Sequence, residues 1–227
     1  VRNGAGGAGN GGGIDFTGGG TLTLTECIIR DNTTTTGPGG GLYVDGTLNI
    51  NYTRVYDNST TGGDGAGVYA TGATDVVNSA IFQNTAGGAG DGGGMYYSGG
   101  DLTVSASSIA HNTAGGNGGG IYYSAGGTSS DVINTILWAN SSDQLFIADD
   151  TTNPSFTYCD IQGGSAAIGG LTAGITYSNN IDSDPQFLSD RDLRLSAGSP
   201  AIDAGDNTDG NLGADDLFDN TRQVDGD

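Results

Sequence analysis

The stretch GGGMYYSGGDLTVSASSIAHN, residues 92–112, holds the unit from which most of this chain is built. Three glycines lead into Met95 and Tyr97. A second apolar pair, Leu102 and Val104, follows, and Ile109 stands three residues before Asn112. The same glycine junction recurs as Gly11-Gly12-Gly13-Ile14, Gly39-Gly40-Gly41-Leu42, Gly65-Ala66-Gly67-Val68 and Gly118-Gly119-Gly120-Ile121. The same ending recurs as Ile29-x-x-Asn32, Val55-x-x-Asn58, Ile81-x-x-Asn84 and Leu137-x-x-Asn140. Successive asparagines are 26, 26, 28 and 28 residues apart. A period in the twenties marks a stacked array in which each unit buries its apolar face against its neighbours.

Aligning the units on Asn32, Asn58, Asn84, Asn112 and Asn140 gives columns of like residues. Eight residues before the asparagine stand Leu24, Ile50, Val76, Val104 and Val132. After the glycines, Ile14, Leu42, Val68, Met95 and Ile121 form one inward column, and Phe16, Val44, Ala70, Tyr97 and Tyr123 form another. Period-two alternation places these on strands. The expectation is an all-β parallel β-helix of about six coils, each of roughly 27 residues with three strands. Asparagines where the chain turns sharply tolerate left-handed backbone and bond neighbouring backbone, so a stacked amide ladder is expected. An altered sixth coil, Phe156 to Gly164, ends the period. Residues 1–164 therefore read as the repeat region, and 165–227 as an irregular, Asp-rich C-terminal cap.

The chain has 227 residues, a net charge of -20, 45 glycines and two cysteines. All six basic residues are arginine, and Glu26 alone among the 26 acids is not aspartate. Such a surface repels nucleic acid and anionic membranes, and no apolar run is long enough to span a bilayer. Cys27 and Cys159 fall in one column of small residues with Thr53, Ser79, Ser107 and Thr135, at opposite ends of the stack. The strand spacing puts them about 24 Å apart, beyond disulfide reach. Val1-Arg2-Asn3 reads like the tail of a unit, which predicts further repeats upstream.

The two signatures resemble the repeats of polymorphic outer-membrane proteins and related β-helix passengers. The tail Asp184-Pro185-Gln186-Phe187, followed by Asp192-Leu193-Arg194-Leu195 and Ala201-Ile202-Asp203-Ala204-Gly205-Asp206, resembles the end of bacterial parallel β-helix surface proteins that often carry a choice-of-anchor domain. The resemblance implies a right-handed coil and an extracellular or cell-surface protein.

Chemistry is less visible. The lone His111 does not match a Gly-His-Gly hydrolase signature, and the carboxylates Asp75 and Asp131 fall two coils apart with Thr103 between them. Polysaccharide binding or cleavage is the alternative to a structural or adhesive role. Tyr43, Tyr69, Tyr96 and Tyr122 occupy one outward position and predict an exposed aromatic stripe, open to sugar rings or another protein. The dense acids of the tail, Asp203, Asp206 and Asp209 above all, are candidate Ca²⁺ ligands, alongside Asp182, Asp184, Asp215, Asp216 and Asp219. Asn51 is the best placed of four glycosylation sequons, being outward on a strand. The partners expected are further copies of the chain, other surface proteins or glycans.

Overall fold

The computed structural model describes residues 1–2, 7–125, 127, 129–149, 153–210 and 216–217. The first coil runs through β1 (Ile14–Phe16), β2 (Thr21–Thr25), β3 (Ile28–Arg30) and β4 (Thr33–Thr34). Each begins a parallel sheet extended by the following coils, with seven, seven, six and four strands respectively among the described residues. The chain is thus a parallel β-solenoid. Register follows the aligned columns: Ile14 faces Leu42, which faces Val68, and Val76 faces Val104. Leu42, Ile50, Val76, Ile81 and Ile109 are completely buried along its interior.

Two features go beyond the expectation. The first is the β4 sheet, which adds a fourth strand to the three anticipated in a coil. Its two-residue strands are too short to show alternation, yet each turns one small residue inward: Thr34, Thr60, Ala86 and Ala114 are all buried. The second is that pairing continues past Gly164. Ile168–Gly170 pairs with Leu145–Ile147, and Thr176–Ser178 with Ser155–Thr157. Parallel pairing needs only aligned backbone groups and an inward apolar side chain, here Ile168 and Tyr177, so it survives the loss of the repeat length.

The ladder asparagines point into the stack. The side-chain oxygen of Asn84 accepts from the backbone N–H and the side-chain amide of Asn58, each at 3.0 Å. The Asn84 amide donates to the side-chain oxygen of Asn112 and to the carbonyls of Val55 and Phe82, at 3.0–3.1 Å. Asn32, Asn58 and Asn112 repeat the link to the next coil. Asn140 ends the series on Gln144, whose side-chain oxygen accepts its amide at 2.8 Å. These are buried amides satisfied by one another and by backbone.

The left-handed backbone, however, belongs to the residue before each asparagine. Asp31, Asp57, Gln83, His111 and Ala139 have φ of 53–56°. A second such column, Glu26, Tyr52, Asn78, Ala106 and Asn134, precedes the small residues. Left-handed non-glycine residues cost about 1–2 kcal/mol each. The side chain that follows each one offsets this by binding backbone on the preceding coil: Thr53 N–H donates to the Ser79 hydroxyl, and Ser79 N–H to that of Ser107, both at 3.1 Å.

The glycine and asparagine signatures are two sides of one contact. A Cβ on Gly13, Gly41, Gly67, Gly94 or Gly120 would lie 2.8–3.0 Å from the amide nitrogen of a ladder asparagine, and 2.3–2.7 Å from a carbonyl of the next coil. The third glycine of the junction is required by close approach, not by its dihedral angles.

Replacing Asn84 by Leu orphans the Asn58 N–H inside the stack and takes one partner from the Asn58 amide, at about 1–3 kcal/mol per unsatisfied group. The denaturant midpoint of the variant is expected to fall accordingly; an unchanged midpoint would contradict the ladder. The two inner phenols give the opposite contrast. Tyr123 shares a 2.9 Å hydrogen bond with Ser130, whereas the buried Tyr97 hydroxyl has no partner. Tyr97→Phe is therefore expected to stabilise the fold by about 1 kcal/mol and Tyr123→Phe to weaken it by about as much, both read from the same unfolding curves.

Candidate functional site

The outward tyrosines form one continuous stack. Register places Asp15, Tyr43, Tyr69, Tyr96, Tyr122 and Phe146 side by side along the β1 sheet. Ring centroids are 5.3, 4.7 and 5.0 Å apart from Tyr43 to Tyr122, with planes within 12° of parallel. Phe146 adds a fifth ring at 5.4 Å and 7°. It escaped the sequence reading because no glycine triplet precedes it, although Leu145-Phe146-Ile147 repeats the apolar–aromatic–apolar order of Met95-Tyr96-Tyr97. The rings are half-buried, and each inner ring spends both faces on its neighbours. Edges and hydroxyls remain for solvent. A sugar stacking on the face of an inner ring would have to displace a neighbour.

Burial pushes the phenols up: Tyr69 to about 12, with further contributions from Tyr96 and Asp64, and Tyr43 and Tyr122 in the same direction. Tyr43, Tyr69 and Tyr122 are therefore uncharged at neutral pH. Beside it runs a shorter acid column, in which the Asp64 carboxylate accepts the Asp91 N–H at 2.9 Å and the Asp91 carboxylate accepts that of Asn117 at 2.7 Å.

The C-terminal segment covers a flank of the solenoid. An antiparallel hairpin, Phe187–Ser189 with Asp192–Leu195, lies against the outer side of the β3 sheet, where Leu193 and Phe187 pack with Ala80, Phe82, Ala110 and Tyr56. Arg191 forms a two-pronged ion pair with Asp57, 134 residues earlier, and Asp190 approaches His111 at 3.7 Å. No local sequence pattern signals so distant a contact.

Two of the acids proposed for Ca²⁺, Asp206 and Asp209, hold this segment against the solenoid. Asp209 accepts from the Ser105 hydroxyl at 2.6 Å and the Asn134 amide at 3.2 Å. Asp206 donates its backbone N–H to Asn134 and accepts from the Thr208 hydroxyl and N–H, bonds that hold its carboxyl below the usual range. Asp203 sits in left-handed backbone at φ 60°. Among the described residues no three His, Cys, Asp or Glu side chains converge as a metal-holding group. Asp215 and Asp219 lie outside the described residues.

Asn51 ends its strand in the β2 sheet, partly exposed, and lines a shallow polar depression of about 360 Å³ with Asn49, Asp75, Val77 and Thr103. Asp75 and Asp131 keep the expected register, with Thr103 between them. The cysteines are free: Cys27 is partly buried, and Cys159 is buried, its thiol pushed up to about 12 by desolvation. They occupy the two ends of the β3-side column, where the Cys159 N–H donates to Asn180. Among the described residues no helix is long and apolar enough to cross a membrane. No family model, curated protein or solved structure matches this chain.

One buried acid was not singled out from the sequence. Asp160, 3% exposed, accepts the Ser183 N–H through one oxygen while the other has no partner. Burial, aided by Asp182 and Asp184, pushes its carboxyl from 3.8 to about 6. A raised folded-state value means the contribution to stability is fully present below 3.8 and is lost as pH rises through about 6. Between pH 7.5 and 5 the wild-type chain is thus expected to gain more stability than Asp160→Asn. Equal pH slopes in the two unfolding series would contradict this.

Proposed function

We propose that this chain is a structural or adhesive solenoid of an extracellular or cell surface, acting by extension and contact rather than turnover. The observation that carries the reading is the continuous ladder of buried asparagine amides from Asn32 to Asn140, closed by Gln144. Its polar side chains are consumed in locking coil to coil, which suits a stiff, extended body. The repeat and tail resemblances point the same way, and the net charge of -20 disfavours nucleic acid as a partner.

Self-association belongs to the same proposal. β1 and β2 lie at one end of their sheets, and a strand edge is a template for further pairing. A second copy stacked there head to tail would make a heterologous contact that propagates into a fibre if it does not close. Sedimentation combined with negative-stain imaging tests this. Concentration-dependent growth into rods of constant width is expected, and a monodisperse monomer at all concentrations would overturn the fibre.

A second reading rests on the depression beside Asn51. Its amides and the Asp75 carboxylate could bond the hydroxyls of a neutral polysaccharide. Binding to immobilised glycans that disappears in Asp75→Ala, with the melting temperature unchanged, would favour it over the structural reading.

A further inference from the structure

The tyrosine stripe places phenols in mutual contact at the surface, and it does so repeatedly. Tyr43–Tyr69, Tyr69–Tyr96 and Tyr96–Tyr122 are in-register neighbours on consecutive coils, at 5.3, 4.7 and 5.0 Å between centroids. The other tyrosines in ring contacts differ. Tyr97 and Tyr123 also touch, at 5.3 Å, but are 0% and 1% exposed in the interior. Tyr56 stacks on Phe82, which carries no phenol.

A one-electron oxidant that removes a hydrogen atom from an isolated surface tyrosine leaves a radical that must find a partner by diffusion. In the stripe the partner is already in contact, and such proximity raises the effective concentration by orders of magnitude. From these contacts we propose that the stripe is a site of oxidative cross-linking, in which neighbouring tyrosines of consecutive coils join as dityrosine when a haem peroxidase acts with hydrogen peroxide. Each of two phenols gives up one electron and one proton. The two phenoxyl radicals couple through ring carbons adjacent to the C–O carbon, and the hydrogens on those carbons move to the oxygens, restoring both phenols. One hydrogen peroxide becomes two waters, and the protein loses two hydrogens per bond formed.

The consequence is mechanical. Each such bond ties two coils on the outside of the solenoid, parallel to the amide ladder inside it. Asp15 at one end of the column and Phe146 at the other carry no phenol, so coupling is confined to the four tyrosines between them.

The test treats dilute full-length protein with peroxidase and limiting peroxide, then reads dityrosine fluorescence and maps cross-linked peptides by mass spectrometry. Fragment spectra distinguish Tyr96–Tyr122 from the buried Tyr97–Tyr123 pair. Cross-links within one chain joining 43 to 69, 69 to 96 or 96 to 122 are expected, with a raised melting temperature. The double variant Tyr69→Phe/Tyr122→Phe keeps all five rings but leaves no adjacent pair of phenols, and is expected to lose these cross-links while melting like the untreated wild type. Three outcomes would overturn the proposal: cross-links outside the stripe as the main product, equal yield in the double variant, or consumption of peroxide with no intramolecular dityrosine.

Discussion

A buried carboxamide repeated from coil to coil, bonded to the next carboxamide and to backbone, is the constraint on which this structure depends. The Asn84 side chain alone engages five groups: the Asn58 N–H and amide, the Asn112 oxygen and two backbone carbonyls. Removing water from such a group is costly unless every bond is replaced. The ladder replaces them only if the coils are spaced evenly and the facing strand has no side chain in the way. Hence the glycine junctions, where a Cβ would strike an asparagine amide. Hence also the left-handed residue before each asparagine, a local strain the following bonds outweigh.

A ladder also needs an end. Inside the described chain this is done by side chains of different length and no fixed period. Gln144 accepts the last asparagine amide and reaches the backbone oxygen of Asn140 at 3.3 Å, while Gln162 takes the Ala139 N–H at 2.8 Å. On the column of small residues, Asn180 does the same for Cys159 and bonds the Phe156 carbonyl at 2.9 Å. The C-terminal hairpin solves a different problem, covering the apolar side of the β3 sheet, where Tyr56, Phe82 and Ala110 would otherwise face solvent.

The same regular spacing sets what the outer surface can do. Side chains repeated at one position of a parallel sheet are brought about 4.8 Å apart, close to the separation of stacked aromatic rings. The tyrosines therefore satisfy one another before they meet any ligand, and their chemistry is that of edges, hydroxyls and neighbouring phenols.

Much of this was legible in the residues themselves. The inward columns, the register of Tyr43, Tyr69, Tyr96 and Tyr122, and the asparagine ladder follow from alignment of repeats, because stacking makes sequence period and spatial neighbour the same thing. What only the tertiary structure decided lacks that period. Leu145–Ile147 joins the β1 sheet without a glycine signal, and Ile168–Gly170 and Thr176–Ser178 extend the stack beyond Gly164. Asp57 waits 134 residues for Arg191, and Asp209 accepts from Ser105 and Asn134, 104 and 75 residues away. A repeat declares its contacts because each neighbour is one period away. A tail folded back along the flank meets residues at separations set only by how the whole chain packs.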